Sequence, residues 1–379
     1  MATDTSTTNI PANASDAIEA PKQSFEQFFT FDGGDVEITV TIQGEQIKGK
    51  VASQVMALAS PVWKKFIFPP WTTDSGSQVK TIDFSDDDAC ALLILLRTAH
   101  GRFKMIPKVL SLETLYQVAI QTEKYDCVEL VLPFLDQWLS ATNYAAPKDH
   151  NGKWLYICWA FGREAPFKYV AEKMTKSVKV VGGECFTSTG DRLSEPLPDK
   201  IIENITNIRA GTMQKILDII YAEVKRYGDL NCANSMLCKS GSKSCDVIVY
   251  GSILIGLQQI GLWPPIAASE MGHSINDITR MIRELKIQPR PQTKGKNGSL
   301  HLHFDCSIFP LCRPMDKVLW EMPTPGLDCH IIHMENRRGL SKFEGDPLMD
   351  YTPCVRCSQV HSAMIACAAN EKKSSDPTE

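Results

Sequence analysis

Apolar and polar side chains alternate strictly through residues 36–43. A period of two is typical of a half-buried strand, and Gly44 and Glu45 favour a turn into a second strand over residues 46–50. From Val51 onward the apolar positions recur at helical spacing, so the pattern predicts a helix there. Ser60 and Pro61 then supply a helix cap and a first-turn proline, which predicts that one helix stops near Ala59 and another begins at Pro61.

The same order of signals continues to residue 139. A short third strand is predicted over residues 79–84, and the acidic run of residues 85–88 favours a helix start over a metal site because acids complement the helix dipole. The helix that follows carries Leu92, Leu93 and Leu96 on its apolar face, and further helices are predicted from Ser111 onward. Residues 25–139 therefore predict an α+β domain with a small sheet and a helical cluster.

The rest of the chain is predicted to be mainly α-helical. Helical stripes cover residues 154–161, 166–178, 198–227, 245–263 and 274–286. The uncharged residues 247–269 are interpreted as a buried central helix, since two glutamines and two prolines disfavour a membrane span. The predicted organisation is a disordered tail over 1–24, the α+β domain over 25–139, a helical domain over 143–287, a flexible loop over 288–299, an irregular Cys/His-rich region over 300–370 and a disordered tail over 371–379.

Charge and cysteine content limit the classes of function. The 379 residues carry 44 acidic and 40 basic side chains, a formal charge of −4, so no global positive field favours nucleic acid or an anionic membrane. The basic run between Arg280 and Lys296 lacks interleaved aromatics and is interpreted as solvated surface. Thirteen cysteines at irregular spacing, behind a start without signal-peptide features, predict an intracellular protein of the nucleus or cytoplasm. Phosphate-loop, nucleophile-elbow and HExxH motifs are missing from the sequence, so we predict no enzyme and no cofactor.

Three stretches carry a family resemblance. VASQVMALASPVWKKFI, IDFSDDDACALLILLRTAHGRF and SLETLYQVAIQTEKYDCVELVLPFLDQWL closely resemble the BTB/POZ domain, particularly the variety in fungal proteins of about this length. Asp35-Val36 resembles the start of the family's first strand, and Ala59-Ser60-Pro61 resembles its step between helices. The chain departs from many animal members in having Gly49 and Ala52 where those carry an aromatic and a His. The resemblance implies a protein-interaction domain followed by a helical region.

A candidate interaction surface lies just ahead of the first strand. Phe25, Phe28 and Phe29 stand at helical spacing, and such a stripe is buried either in its own domain or against a partner. The resemblance implies that this segment packs across a twofold homodimer, and Asp35 is assigned to the same surface. We therefore predict a non-catalytic scaffold with protein partners. An alternative within the family is a substrate adaptor of a cullin-type ubiquitin ligase, for which Glu113 of Ser111-Leu112-Glu113 is the candidate contact.

A zinc-dependent nucleic-acid-binding or transcription-regulating role is the alternative from another class. Nine of the 13 cysteines and six of the eight histidines follow residue 230. Cys354, Cys357, His361 and Cys367 have nearly the spacing of a zinc knuckle, although no glycine lies between them and His361 is one residue early. A looser set is interpreted as ordinary packing or surface residues; its members are His301, His303, Cys306, Cys312, Cys329, His330 and His333. No metal is favoured.

Overall fold

The first strand is the centre of a small mixed sheet. The strands are β1, Val36–Ile42; β2, Glu45–Val51; and β3, Thr81–Phe84, in the order β2-β1-β3. β1 pairs antiparallel with β2 and parallel with β3. Val36, Ile38 and Val40 are fully buried, which confirms the alternating pattern. Gln43 and Gly44 both have positive φ, at 52° and 83°, and form the two-residue turn that matches strand twist.

The computed structural model describes residues 25–69, 81–141, 152–193, 196–229, 236–238, 241–288, 293–294, 300–301, 306 and 309–339. The chain divides into two compact units, Met1–Thr142 and Asn143–Glu379. The predicted tails over 1–24 and 371–379 lie outside the described residues. The architecture is mixed α+β, with helices dominating both units. No helix within the described ranges is long and apolar enough to cross a membrane.

Side-chain caps start three of the helices in the first unit. The helices described there are α1, Ser53–Ala59; α2, Pro61–Ile67; α3, Ala89–Ala99; α4, Leu112–Lys124; and α5, Leu132–Ala141. Ser60, Asp88 and Ser111 accept backbone N–H bonds at the starts of α2, α3 and α4. The predicted break at Ser60-Pro61 and the predicted capping role of the acidic run are both confirmed.

Tyr125 joins the helices of the first unit to its sheet. Its ring lies 5.4 Å from that of Trp63 and 5.8 Å, edge-on, from that of Phe84. Its hydroxyl donates to Asp87, and burial followed by this hydrogen bond raises the pKa of Tyr125. Its backbone carbonyl accepts from the hydroxyl of Ser60 at 2.5 Å. The Ser60 hydroxyl thus caps α2 and also holds the backbone at the end of α4 by its bond to Tyr125.

His100 is held in one neutral tautomer. Its Nδ1 lies 2.8 Å from the carbonyl of Leu96, and its Nε2 accepts from the N–H of Ala52 at 3.1 Å. The ring stacks on Phe31 at 4.1 Å. Burial lowers the pKa of His100 below 6.5; the hydrogen bond to Leu96 opposes this shift, and the charge of Arg102 adds to it. Protonation of Nε2 would remove the acceptor for Ala52.

The second unit is built on one long helix. Its helices, as described, are α6, Gly152–Ala160; α7, Glu164–Ser177; α8, Ile201–Gly228; α9, Lys243–Gln259; α10, Ile275–Arg283; α11, Phe309–Trp320; and α12, Asp328–Gly339. A short hairpin, β4 (Lys179–Val181) with β5 (Glu184–Phe186), follows α7. The apolar face of α8 packs with α9, α10 and α11 into a core that includes Ile216, Ile220 and Met315. The predicted amphipathic stripe of residues 198–227 is therefore confirmed.

A buried arginine ties three segments of this unit together. Arg209 of α8 is only 3% exposed. Its guanidinium donates to the carbonyls of Val178 at 3.2 Å, Met271 at 2.7 Å and His273 at 2.5 Å. Burial lowers its pKa. Three carbonyl acceptors, rather than a carboxylate, therefore compensate the removal of this charge from water.

Three expectations for the second unit differ from the structure. The segment around α9 is not a buried central helix: one face is buried, but Val247 is 70% and Ile255 is 59% exposed. The region 300–370, predicted to be irregular, contains α11 and α12. The predicted loop 288–299 contains β6, Thr293–Lys294, which pairs with β7, Leu300–His301. Pro314 lies inside α11, where apolar burial of Leu311 and Met315 stabilises the helix.

Candidate protein-interaction site

The segment ahead of β1 is anchored to the edge of the sheet. Phe25–Phe28 forms one 3-10 turn, and the backbone then runs beside β2. The carbonyl of Phe29 accepts from Lys50 N–H at 3.0 Å, and Phe31 N–H donates to the Lys50 carbonyl at 2.8 Å. These bonds extend the sheet by a short stretch of chain. The position of the aromatic stripe is therefore set by main-chain hydrogen bonds.

Gly49 makes this close approach possible. A Cβ at this position would lie 2.4 Å from the carbonyl oxygen and 2.6 Å from the Cβ of Phe29. Contacts this short are sterically forbidden, so only glycine lets the two backbones come together here. Gly49 therefore has a structural reason in this chain.

The three phenylalanines have different environments. Phe29 is 2% exposed and belongs to the core, whereas Phe25 and Phe28 are half-buried. All three line an open cleft of about 340 Å³. Its other lining residues come from the end of β1, the turn that follows it and one face of α3; they are Ile42, Gln43, Ala89, Cys90, Leu93 and Arg97. The structure therefore brings the predicted stripe together with apolar side chains that the sequence had not assigned to it.

The lining is apolar and largely uncharged. Leu93, predicted to face inward with Leu92 and Leu96, is instead half-exposed at the cleft. Burial raises the pKa of the Cys90 thiol, and Asp88 raises it further, so this thiol is neutral at pH 7. Among the described lining residues Arg97 is the charged one, and its guanidinium donates to the carbonyl of Met105 at 3.1 Å. Such a surface offers mainly apolar contact area.

Asp35 serves the fold at the opposite end of β1. Its two carboxylate oxygens accept from the N–H and the hydroxyl of Ser53, each at 2.7 Å. Ala52, at the N-cap position of α1, has no side chain that can cap. Asp35 therefore caps α1 from the neighbouring strand, and it does not line the cleft. Glu113, the candidate cullin contact, is exposed in the first turn of α4.

The candidate zinc ligands Cys354, Cys357, His361 and Cys367 lie outside the described residues. The structure describes the side chains of two histidines of the looser set. His330 is buried, its Nδ1 accepts from Leu327 N–H at 3.1 Å, and its Nε2 lies 2.7 Å from the carbonyl of Asp199. His333 stacks on Trp159 at 4.0 Å. Ring packing and carbonyl bonding thus account for these two histidines.

One cysteine of the looser set does have sulfur neighbours. The Sγ atoms of Cys238, Cys245 and Cys306 all lie within 4.8 Å of one another, and all three residues are buried. Sequence reasoning missed this group because Cys306 is 61 positions beyond Cys245, too far for a spacing motif to associate them. The general enrichment of cysteine after residue 230 was the only signal.

Comparison with known proteins adds no assignment: the chain matched no protein-family model, and the search of curated proteins gave no match.

Proposed function

We propose that this protein is a non-catalytic scaffold whose residues 25–139 form a BTB/POZ-like domain that pairs with a second copy of the chain. The observation that carries the proposal is the apolar cleft lined by Phe25, Phe28 and Leu93. The order of elements in the first unit supports it: two strands, a helix pair divided at Ser60-Pro61, a third strand and further helices follow as in the stretches that carry the resemblance.

The chemistry of the cleft favours a second copy as its occupant. In a twofold dimer the same patch meets itself, so it must be self-complementary in charge and shape. Arg97 is the charged side chain among the described lining residues, so pairing this surface with itself brings few like charges together. Phe25 and Phe28 are half-exposed at the cleft. Their rings in one copy can therefore insert into the cleft of the other copy, and the reverse contact forms at the same time.

Sedimentation velocity of the full-length chain at micromolar concentration tests the proposal. We expect a dimer for the unchanged chain and a monomer for the double variant Phe25→Ser, Phe28→Ser. Four truncated phenylalanines per dimer, at about 1 kcal/mol each, weaken association by about 1000-fold. Phe103→Ser is the matched control, since Phe103 is 58% exposed in the same unit but outside the cleft. A monomeric parent chain, or equal weakening by Phe103→Ser, would overturn the proposal.

The cullin-adaptor role is the second candidate, and the exposed carboxylate of Glu113 at the start of α4 favours it. An exposed acid in a first helical turn is free of the core and accessible to a large partner. Co-purification of the full chain with a cullin tests this role, with Glu113→Ala expected to reduce recovery. Absence of cullin binding at micromolar concentration would rule it out without affecting the dimer.

A further inference from the structure

Three buried thiols from separate parts of the second unit meet at one point. Cys238 follows α8, Cys245 is the third residue of α9, and Cys306 precedes α11. They are 3%, 0% and 6% exposed, and their Sγ atoms lie within 4.8 Å of one another. Cys245 belongs to the first turn of a helix, whose cap residue Ser242 accepts from the Cys245 N–H at 3.3 Å.

The spacing of the sulfurs suits a single ion. Tetrahedral zinc with Zn–S bonds of about 2.3 Å places neighbouring sulfurs about 3.8 Å apart. Sulfurs within 4.8 Å reach that spacing with small side-chain movements. A disulfide would use two of the three and leave the third buried as a lone thiol. Thiolates are soft ligands that select zinc over calcium or magnesium.

The closeness of the sulfurs also suits a cation. Three thiolates within 4.8 Å would repel one another, and a cation held between them removes that repulsion. Cys245 lies in the first turn of α9, where the partial positive charge of the helix N-terminus stabilises a nearby negative charge.

A buried carboxylate supports the ligand segments. Asp246 is 3% exposed, and its Oδ2 accepts from the N–H of Leu237 at 3.1 Å. This bond holds the backbone next to Cys238 against the start of α9. Its Oδ1 is buried with no hydrogen-bond partner among the described residues.

We propose that Cys238, Cys245 and Cys306 bind one zinc ion, each thiol releasing its proton to solvent on binding, with water or a further donor completing the coordination. The ion joins the segment that carries Cys306 to α9 and to the end of α8. It stabilises the second unit, because binding energy at a preformed site adds to folding energy. This site is independent of the dimer proposed above, so either can fail alone.

The test uses full-length protein expressed with added zinc and purified under reducing conditions without chelator. Elemental analysis and native mass spectrometry should give a zinc count that falls by one per chain in Cys245→Ser. Cys158→Ser is the matched control: it places the same hydroxyl at a fully buried position outside the cluster. The double variant Cys354→Ser, Cys357→Ser should keep this zinc and separates it from the C-terminal candidates.

A second measurement does not depend on whether a variant folds. Cobalt exchanged into the unchanged chain should show thiolate-to-cobalt charge-transfer absorption, and chelation of the metal should lower the melting temperature. Zinc-free protein after reconstitution would overturn the proposal. Three other results would also overturn it. They are a zinc count unaffected by Cys245→Ser, a disulfide between two of the three cysteines that persists after purification under reducing conditions, and cobalt spectra without thiolate bands.

Discussion

Replacing Arg209 by methionine should loosen the second unit strongly. Methionine keeps much of the apolar stem but donates no hydrogen bond, so the carbonyls of Val178, Met271 and His273 lose their donor. A buried acceptor left unpaired costs about 1 to 1.5 kcal/mol at the lower end of the usual range, and three of them give about 4 kcal/mol. That is a large part of the about 5 to 15 kcal/mol that holds a domain folded.

Hydrogen exchange of the full chain, followed by mass spectrometry of peptides, measures this loss where it occurs. The most protected amides of α8 should exchange about 1000-fold faster in Arg209→Met, since about 1.4 kcal/mol corresponds to a factor of ten. Peptides from β1, in the other unit, provide an internal reference. Arg209→Lys retains the charge but presents a compact ammonium in place of the planar fork, and should lose about half as much protection.

Protection of α8 within about threefold of the parent chain would refute the reasoning. It would mean that the cost of burying the guanidinium cancels its three hydrogen bonds, the balance known from buried ion pairs.

Three further changes in the first unit have expected outcomes. Ser60→Ala removes the cap of α2 and the hydroxyl that donates to the Tyr125 carbonyl. Urea titrations should show a free energy of unfolding lower by about 2 kcal/mol. A loss below about 0.5 kcal/mol would contradict both roles. Gly49→Ala should displace Phe29 from the sheet edge, lowering the urea midpoint and weakening dimerisation together; a dimer of parental strength argues against the contact. Because the pKa of His100 is lowered in the folded state, the unfolded state binds more protons below about pH 6.5. The urea midpoint should therefore fall as the pH drops through that value, and the fall should be smaller in His100→Gln. An equal fall in both proteins would mean that another group causes the pH dependence.

Features that depend on residues close together in the chain were predicted correctly from the sequence. The alternation of Val36, Ile38 and Val40 and the cap at Ser60 were predicted because each is decided by neighbours a few residues away. Leu93 shows the limit of periodicity, which places a residue on the apolar face of a helix but does not distinguish a core from a cleft.

Features that join distant residues were beyond such patterns. The approach of Gly49 to Phe29 and the meeting of Cys245 with Cys306 depend on tertiary packing, which no local spacing encodes. The α11 helix was missed for a related reason: Pro314 disfavours a helix locally, and the burial of Met315 that stabilises it is a long-range effect.

The parallel pairing of β1 with β3 has a consequence for the order of folding. β1 and β2 are joined by two residues, so their hairpin closes within about microseconds. In the β1–β3 pair, Ile38 lies opposite Ile82, and 43 residues separate the two in the chain. This segment, which includes α1 and α2, has to fold back across the sheet before β3 can pair with β1. A ribosome therefore releases the hairpin well before its third strand. Until β3 pairs, one edge of β1 exposes unpaired backbone N–H and C=O groups, and such an edge can pair with another chain. We therefore expect chaperone binding to the first unit at this stage of biosynthesis.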